Sequence, residues 1–217
     1  MRWVDLRLAT GSRADLEEAH RVLLARHFHT WEGLYGIHHI WVDVNQRLGD
    51  LALERHELAT AVRYYEQAAA YPGNLETAPR TPDFQAHVNW TLAHAWLTSG
   101  RRDEAQQYLD AILAEHYPRP SVGTWYQALA EKARGNEAAA GTLLASLEET
   151  ARAYTRDPAG RRARQDAIGH YLLSLALAGR GDGNGAATAR KTAESLDPHP
   201  ARAALRQAQI QYAGGHQ

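Results

Sequence analysis

Apolar residues recur every three or four positions along almost the whole chain, the spacing that gathers them on one face of an α-helix. Leu16, Ala19, Leu23 and Leu24 form such a face behind Ser12 and Asp15, a capping pair, and predict a helix over about 13–27. Residues 28–36 break the pattern. It resumes with Ile37, Ile40, Trp41, Val44, Leu48 and Leu51, and again with Leu58, Ala61, Val62, Tyr65, Ala68 and Ala69 before Tyr71-Pro72-Gly73. Thr81 suits an N-cap and Pro82 a first helical position, which predicts a helix from Pro82 to about Ser99, closed by Gly100. Further helical stretches cover Ala105 to Leu113, follow Ser121 to about Arg134, follow the expected cap Asn136 through Leu147, and surround Ile168, Tyr171, Leu172 and Leu175. A turn over 179–185, a helix to about Ser195, and a last helix with Ala204, Leu205, Ala208 and Tyr212 bring the total to about ten. Alanine is abundant and Val and Ile are scarce, which favours helix over strand. The predicted fold class is all-α, with short turns that make chain neighbours antiparallel.

An internal repeat lies within this pattern. Leu48-Gly49 precedes Ala61, Leu92-Ala93 precedes Ala105, and Leu173-Ser174 precedes Ala186, with the small residue after the leucine equally far from the alanine each time. Pro72, Pro118 and Pro198 close the three units, and 121–153 fits as a degenerate fourth through Gly135, Ala140, Leu144 and Leu147. Over about 37–198 the chain resembles the tetratricopeptide repeat. That resemblance implies a right-handed α-solenoid of about four antiparallel helix pairs, whose first helices line a concave groove. The whole of 1–217 is then expected as a single helical domain. A capping helix and loop fill 13–36, the repeats fill 37–198, and a capping helix with a frayed tail fills 199–217.

A closer likeness rests on His27-Phe28-His29-Thr30-Trp31-Glu32-Gly33 and on Tyr71-Pro72-Gly73-Asn74-Leu75. These segments resemble the repeat region at the C-terminal end of large bacterial proteins that begin with a β-rich domain of unknown function. Thr30, Leu34 and Gly73 depart from that group's pattern. The β-rich part is not in this sequence, so the likeness implies a helical scaffold without the activity of that part.

Composition narrows the chemistry. There is no cysteine, which excludes thiolate metal sites, disulfides and a cysteine nucleophile, and fits a reducing cytoplasm. Met1 to Asp5 opens no apolar stretch of signal-peptide length, and the apolar-rich run 171–178 is too short for a bilayer, so a cytoplasmic protein without membrane contact is expected. The net charge of −1 argues against a nucleic-acid binder held by bulk positive charge. Halves split at residue 108 carry −3 and +2, and Arg152, Arg156, Arg161, Arg162 and Arg164 form a basic cluster that suits either an acidic partner or a solvated helix start. No GxSxG elbow, phosphate-cradling loop, dinucleotide fingerprint or HExxH pattern occurs in a fitting context, so neither catalytic residues nor a cofactor are assigned.

The candidate contact residues fall in two places. On the first helices of the repeats, Gln46, Trp90, Trp125 and Tyr171 take matching positions, and His87, Trp90, His94 and Leu97 share one helical face. Such a face either stacks on a peptide or sugar or packs in the core. Asn45, Asn89 and His87 would set the register of a bound segment. Trp41 and Trp96 stand at packing-type positions, with Trp41 also carried among the candidates. The second place is the loop with Phe28, Trp31 and Glu32, with Asn74 of the loop Pro72 to Leu75 a further candidate. It would either frame a ligand or tie down the open end of the array. His38, His39 and Asp43, with His27 and His29 nearby, have helical spacing for metal ligation, but a metal site is not expected from that pattern alone. The leading function is therefore a scaffold binding a protein or peptide partner. The alternative is a carbohydrate-associated role at the loops holding Phe28 to Glu32 and Pro72 to Leu75.

Overall fold

The computed structural model describes residues 11–29, 36–79, 84–155 and 163–215. Among them ten α-helices follow one another: α1 (Arg13–Ala25), α2 (Ile37–Glu54), α3 (Leu58–Ala69), α4 (Ala86–Thr98), α5 (Arg102–Ala114), α6 (Val122–Ala133), α7 (Glu137–Thr155), α8 (Ala163–Gly179), α9 (Gly183–Leu196) and α10 (Pro200–Gly214). Among the described residues a 3-10 turn, Gly73–Leu75, lies between α3 and α4. The described residues contain no strand, and the protein is all-α.

Local chemistry accounts for four of the helix starts. Ser12 caps α1 by accepting from the Asp15 N–H. Ser121 and Thr124 form a reciprocal capping box on α6. Asp182 accepts from the Gly185 N–H at the head of α9, and Pro200 opens α10. The Asn136 amide donates to Glu131, 2.7 Å away. One start differs from expectation. Phe84 and Gln85 are not helical, and α4 begins at Ala86 rather than at Pro82. Phe84 is buried, stacked on His87, and meets Tyr117 edge-on. The Gln85 N–H donates to Glu115. Aromatic burial and a carboxylate acceptor thus hold these two residues outside the helix. Thr81 and Pro82 lie outside the described residues.

The four pairs α2–α3, α4–α5, α6–α7 and α8–α9 turn in the same way. His56, Gly100, Gly135 and Gly181 each adopt a left-handed conformation, with φ of 62°, 79°, 82° and 87°. Each of these residues donates its N–H to the carbonyl three positions back, at 2.9–3.0 Å. The residue that follows donates to the carbonyl five positions back, at 2.9 Å in all four turns. This double bond pattern is a Schellman motif, which satisfies the last carbonyls of the first helix while reversing the chain. Glycine meets the backbone requirement in three turns, and His56 meets it with a Cβ in a crowded region.

The chain divides into two compact units, 1–80 with 88–109, and 81–87 with 110–217. In the first, α1 packs on α2 and α2 on α3. One cluster joins Leu16, Leu23, Ile37, Ile40, Trp41 and Leu75, and another joins Val62, Tyr65, Val88 and Leu92. Gly49 permits the second, because a Cβ there would stand 2.3 Å from the Tyr65 ring. In the second unit, α6, α7, α8 and α9 pack in sequence, and α10 rests on α8 and α6. Its buried apolar positions include thirteen alanines among the described residues. The small residues of the repeat pattern are also buried: Ala61, Ala93 and Ala105 fully, Ser174 and Ala186 nearly so. No described helix is long and apolar enough to cross a membrane.

Candidate functional site

The junction of two loops in the first unit starts from the end of α1. Its last carbonyls have no helical partner, and Asn74 supplies one from 50 residues away. The Asn74 amide donates to the carbonyls of Leu23 and Arg26, each at 2.7 Å, and its own carbonyl accepts from the Phe28 N–H at 2.8 Å. Leu75 is buried in the core beneath, and Phe28 packs against the same cluster. Beside Phe28, His27 is exposed and His29 partly exposed. Both reach Glu76: His27 Nε2 donates to Glu76 Oε1 at 2.8 Å and His29 Nδ1 at 3.0 Å. The two imidazole rings are 4.7 Å apart. Glu76 itself is left-handed, at φ 48° and ψ 33°. Of the residues expected at this junction, Phe28 and Asn74 are brought together, while Trp31 and Glu32 lie outside the described residues. Glu76 was not legible in the sequence, because nothing local marks a residue whose partners are some 48 positions away.

Behind the junction lies a buried polar group. Trp41, 1% exposed, donates its indole N–H to the Gln67 carbonyl at 2.7 Å and stacks with His20. His20 Nε2 donates to Gln67 Oε1, and Tyr64 meets the His20 ring edge-on. Burial holds the His20 pKa below its ordinary value, so the ring is neutral at pH 7. Asn45 is fully buried and donates to the Trp41 carbonyl at 2.8 Å. Trp41 and Asn45 are therefore internal and present no surface to a ligand. Asp50, pushed up by burial, accepts from the Tyr65 hydroxyl at 2.7 Å.

The other candidates sit on α4 and beyond. Trp90 is partly exposed and lies beside the exposed His94, with ring centroids 6.0 Å apart. Asn89 next to them is also partly exposed. His87 stacks on Phe84 in the second unit. Trp96 is covered by Arg101 at 4.5 Å and packs against the Val62–Tyr65 cluster, as a packing position should. Trp125 packs where Gly179 leaves room, since a Cβ at 179 would come within 2.7 Å of its ring. Tyr171 is buried beneath Arg190.

The histidines and arginines that the sequence spaces closely meet different partners. His38 stacks on Tyr71 at 4.0 Å, Asp43 pairs with Arg47, and His27 and His29 group with Glu76. Arg152 is paired with Glu148, which also binds Arg180 and whose pKa these bonds hold low. Arg156, Arg161 and Arg162 lie outside the described residues, as does the side chain of Arg164. An open cleft of about 480 Å³ in the second unit is bordered by His170, Leu173 and Leu177 of α8 and Asn184 and Thr188 of α9.

The chain matches no family model, no curated protein and no solved structure. Fold and site geometry therefore carry the functional reading.

Proposed function

We propose that the protein is a tetratricopeptide-like interaction module that holds an extended peptide segment against α4. The observation that carries this reading is the Trp90–His94 pair. Trp90 is partly exposed beside the exposed His94, and Trp96, further along the helix, is covered by Arg101. A partly exposed indole beside an exposed imidazole offers a rigid stacking surface, the kind of residue that anchors interfaces. Asn89 adds an amide that can bond a peptide backbone. The four equivalent helix turns support a repeat scaffold that holds such a face rigid. The absence of cysteine agrees with work in the cytoplasm.

Selection from a displayed peptide library tests this directly. Wild type should enrich a related set of peptides. Trp90→Glu should bind them at least ~30-fold more weakly, the scale of an interface hot spot, with an unchanged helical circular dichroism spectrum. Failure to enrich any related set, or equal binding by the variant, rejects the reading.

A second reading is carbohydrate association at the loop junction. The Phe28–Asn74 hydrogen bond favours it, because it joins the two segments that would frame a sugar.

A further inference from the structure

We infer that His27, His29 and Glu76 form a binding site for a borderline divalent transition-metal ion, with zinc the best match. This inference rests on none of the residues of α4.

The donor set comes first. Two imidazole nitrogens and one carboxylate oxygen lie within 4.8 Å of one another. Nitrogen donors disfavour the hard ions Mg²⁺ and Ca²⁺, and two histidines with one carboxylate suit zinc and its neighbours. Zinc sits about 2.0–2.1 Å from histidine nitrogen and about 2.0–2.2 Å from carboxylate oxygen, which places tetrahedral ligand atoms about 3.3 Å apart. The two nitrogen–oxygen distances here are 2.8 and 3.0 Å. Side-chain movements on the order of 1 Å convert the hydrogen-bonded cluster into a coordination sphere of that size. Both rings aim at Glu76 the nitrogens they would aim at a cation. On binding, the ion replaces the two hydrogen-bonding protons, and His27 then carries its proton on Nδ1 and His29 on Nε2.

The frame comes second. The ligands belong to two segments far apart in sequence, and each segment is pinned by groups that do not ligate. Phe28 anchors one in the core, Leu75 anchors the other, and Asn74 ties both to the end of α1. Glu76 stands at a left-handed position, where a residue with a Cβ is disfavoured and glycine is the usual choice. A strained residue whose side chain completes a convergent cluster is a recurrent property of functional sites.

Access comes third. The side chains of His27, His29 and Glu76 are 55%, 44% and 33% exposed. An ion in solvent can therefore reach all three donor side chains.

The test uses untagged full-length protein stripped with a chelator and titrated with Zn²⁺ by calorimetry. Cobalt absorption serves as a second readout of coordination. Wild type should bind one zinc per chain with micromolar or tighter affinity. His29→Ala and Glu76→Gln should each weaken binding by ~100-fold or more, at or above the upper end of what loss of an outer-shell partner costs. His39→Ala, at an exposed histidine of the same unit, should leave binding unchanged. Glu76→Gly removes the ligand while relieving the left-handed position. It should keep its helical spectrum and melting temperature and still lose zinc, which separates ligation from folding. The inference is overturned if wild type shows no saturable one-to-one binding. It is equally overturned if Glu76→Gln and Glu76→Gly bind zinc as wild type does, or if His39→Ala abolishes binding.

Discussion

In the first unit, Leu23, Ile37, Ile40, Trp41 and Leu48 meet between α1 and α2, whereas in the second unit α8, α9 and α10 contribute mainly alanines to their contacts. The same helix-pair plan is thus filled in two ways. Bulky side chains fill the gap between helices in the first unit and leave room for a buried polar group of His20, Asn45, Gln67 and Trp41. Small residues bring helix backbones close in the second, as at Gly169, where a Cβ would stand 2.7 Å from Tyr154 Cβ. Large side chains enclose polar atoms and position loops. The His-rich cluster among the described residues lies in the first unit, and the open cleft beside α8 and α9 lies in the second.

The difference predicts opposite sensitivities. Trp41→Ala should show the largest effect, a loss of about 3–5 kcal/mol, since it removes a fully buried ring together with its hydrogen bond to the Gln67 carbonyl. Chemical denaturation measures it, and a loss below about 1 kcal/mol would mean that the first core is not built around this ring. Gly169→Ala in the second unit should cost about 1–3 kcal/mol by forcing α7 and α8 apart, although it adds only one methyl group. A neutral outcome would remove the contrast, because the close contact would then be dispensable. The smallest effect has the opposite sign. His56→Gly should stabilise the protein by up to about 1 kcal/mol, as its turn then gains the residue that Gly100, Gly135 and Gly181 already supply. A destabilised His56→Gly would show that the imidazole makes contacts worth more than the strain it carries.

Particular residues show how far the chain can be read without its fold. The helix order was legible because periodicity is local. Ser12 and Ser121 marked starts that the structure keeps. The start of α4 was not legible, because Phe84 and Gln85 are held out of the helix by Phe84 burial and by Glu115, some 30 positions away. His56 looked ordinary, since a left-handed residue with a Cβ has no signature in sequence. At the loop junction Phe28 and Asn74 were legible as candidates, and Glu76 was not.

The sequence by itself determined the all-α class, the order of the helices and the lack of thiol chemistry, because these depend on composition and on neighbours within a turn or two. Only the tertiary structure decided which tryptophans face solvent and which histidines meet a carboxylate. Trp41 and Trp90 both follow helical spacing, yet one is sealed by His20 and Gln67 and the other is partly exposed. His38 lies in the first turn of α2 and His27 just past α1, yet one stacks on Tyr71 and the other reaches Glu76. Helical period fixes the direction in which a side chain leaves its own helix. What it meets there depends on chain brought in from far along the sequence.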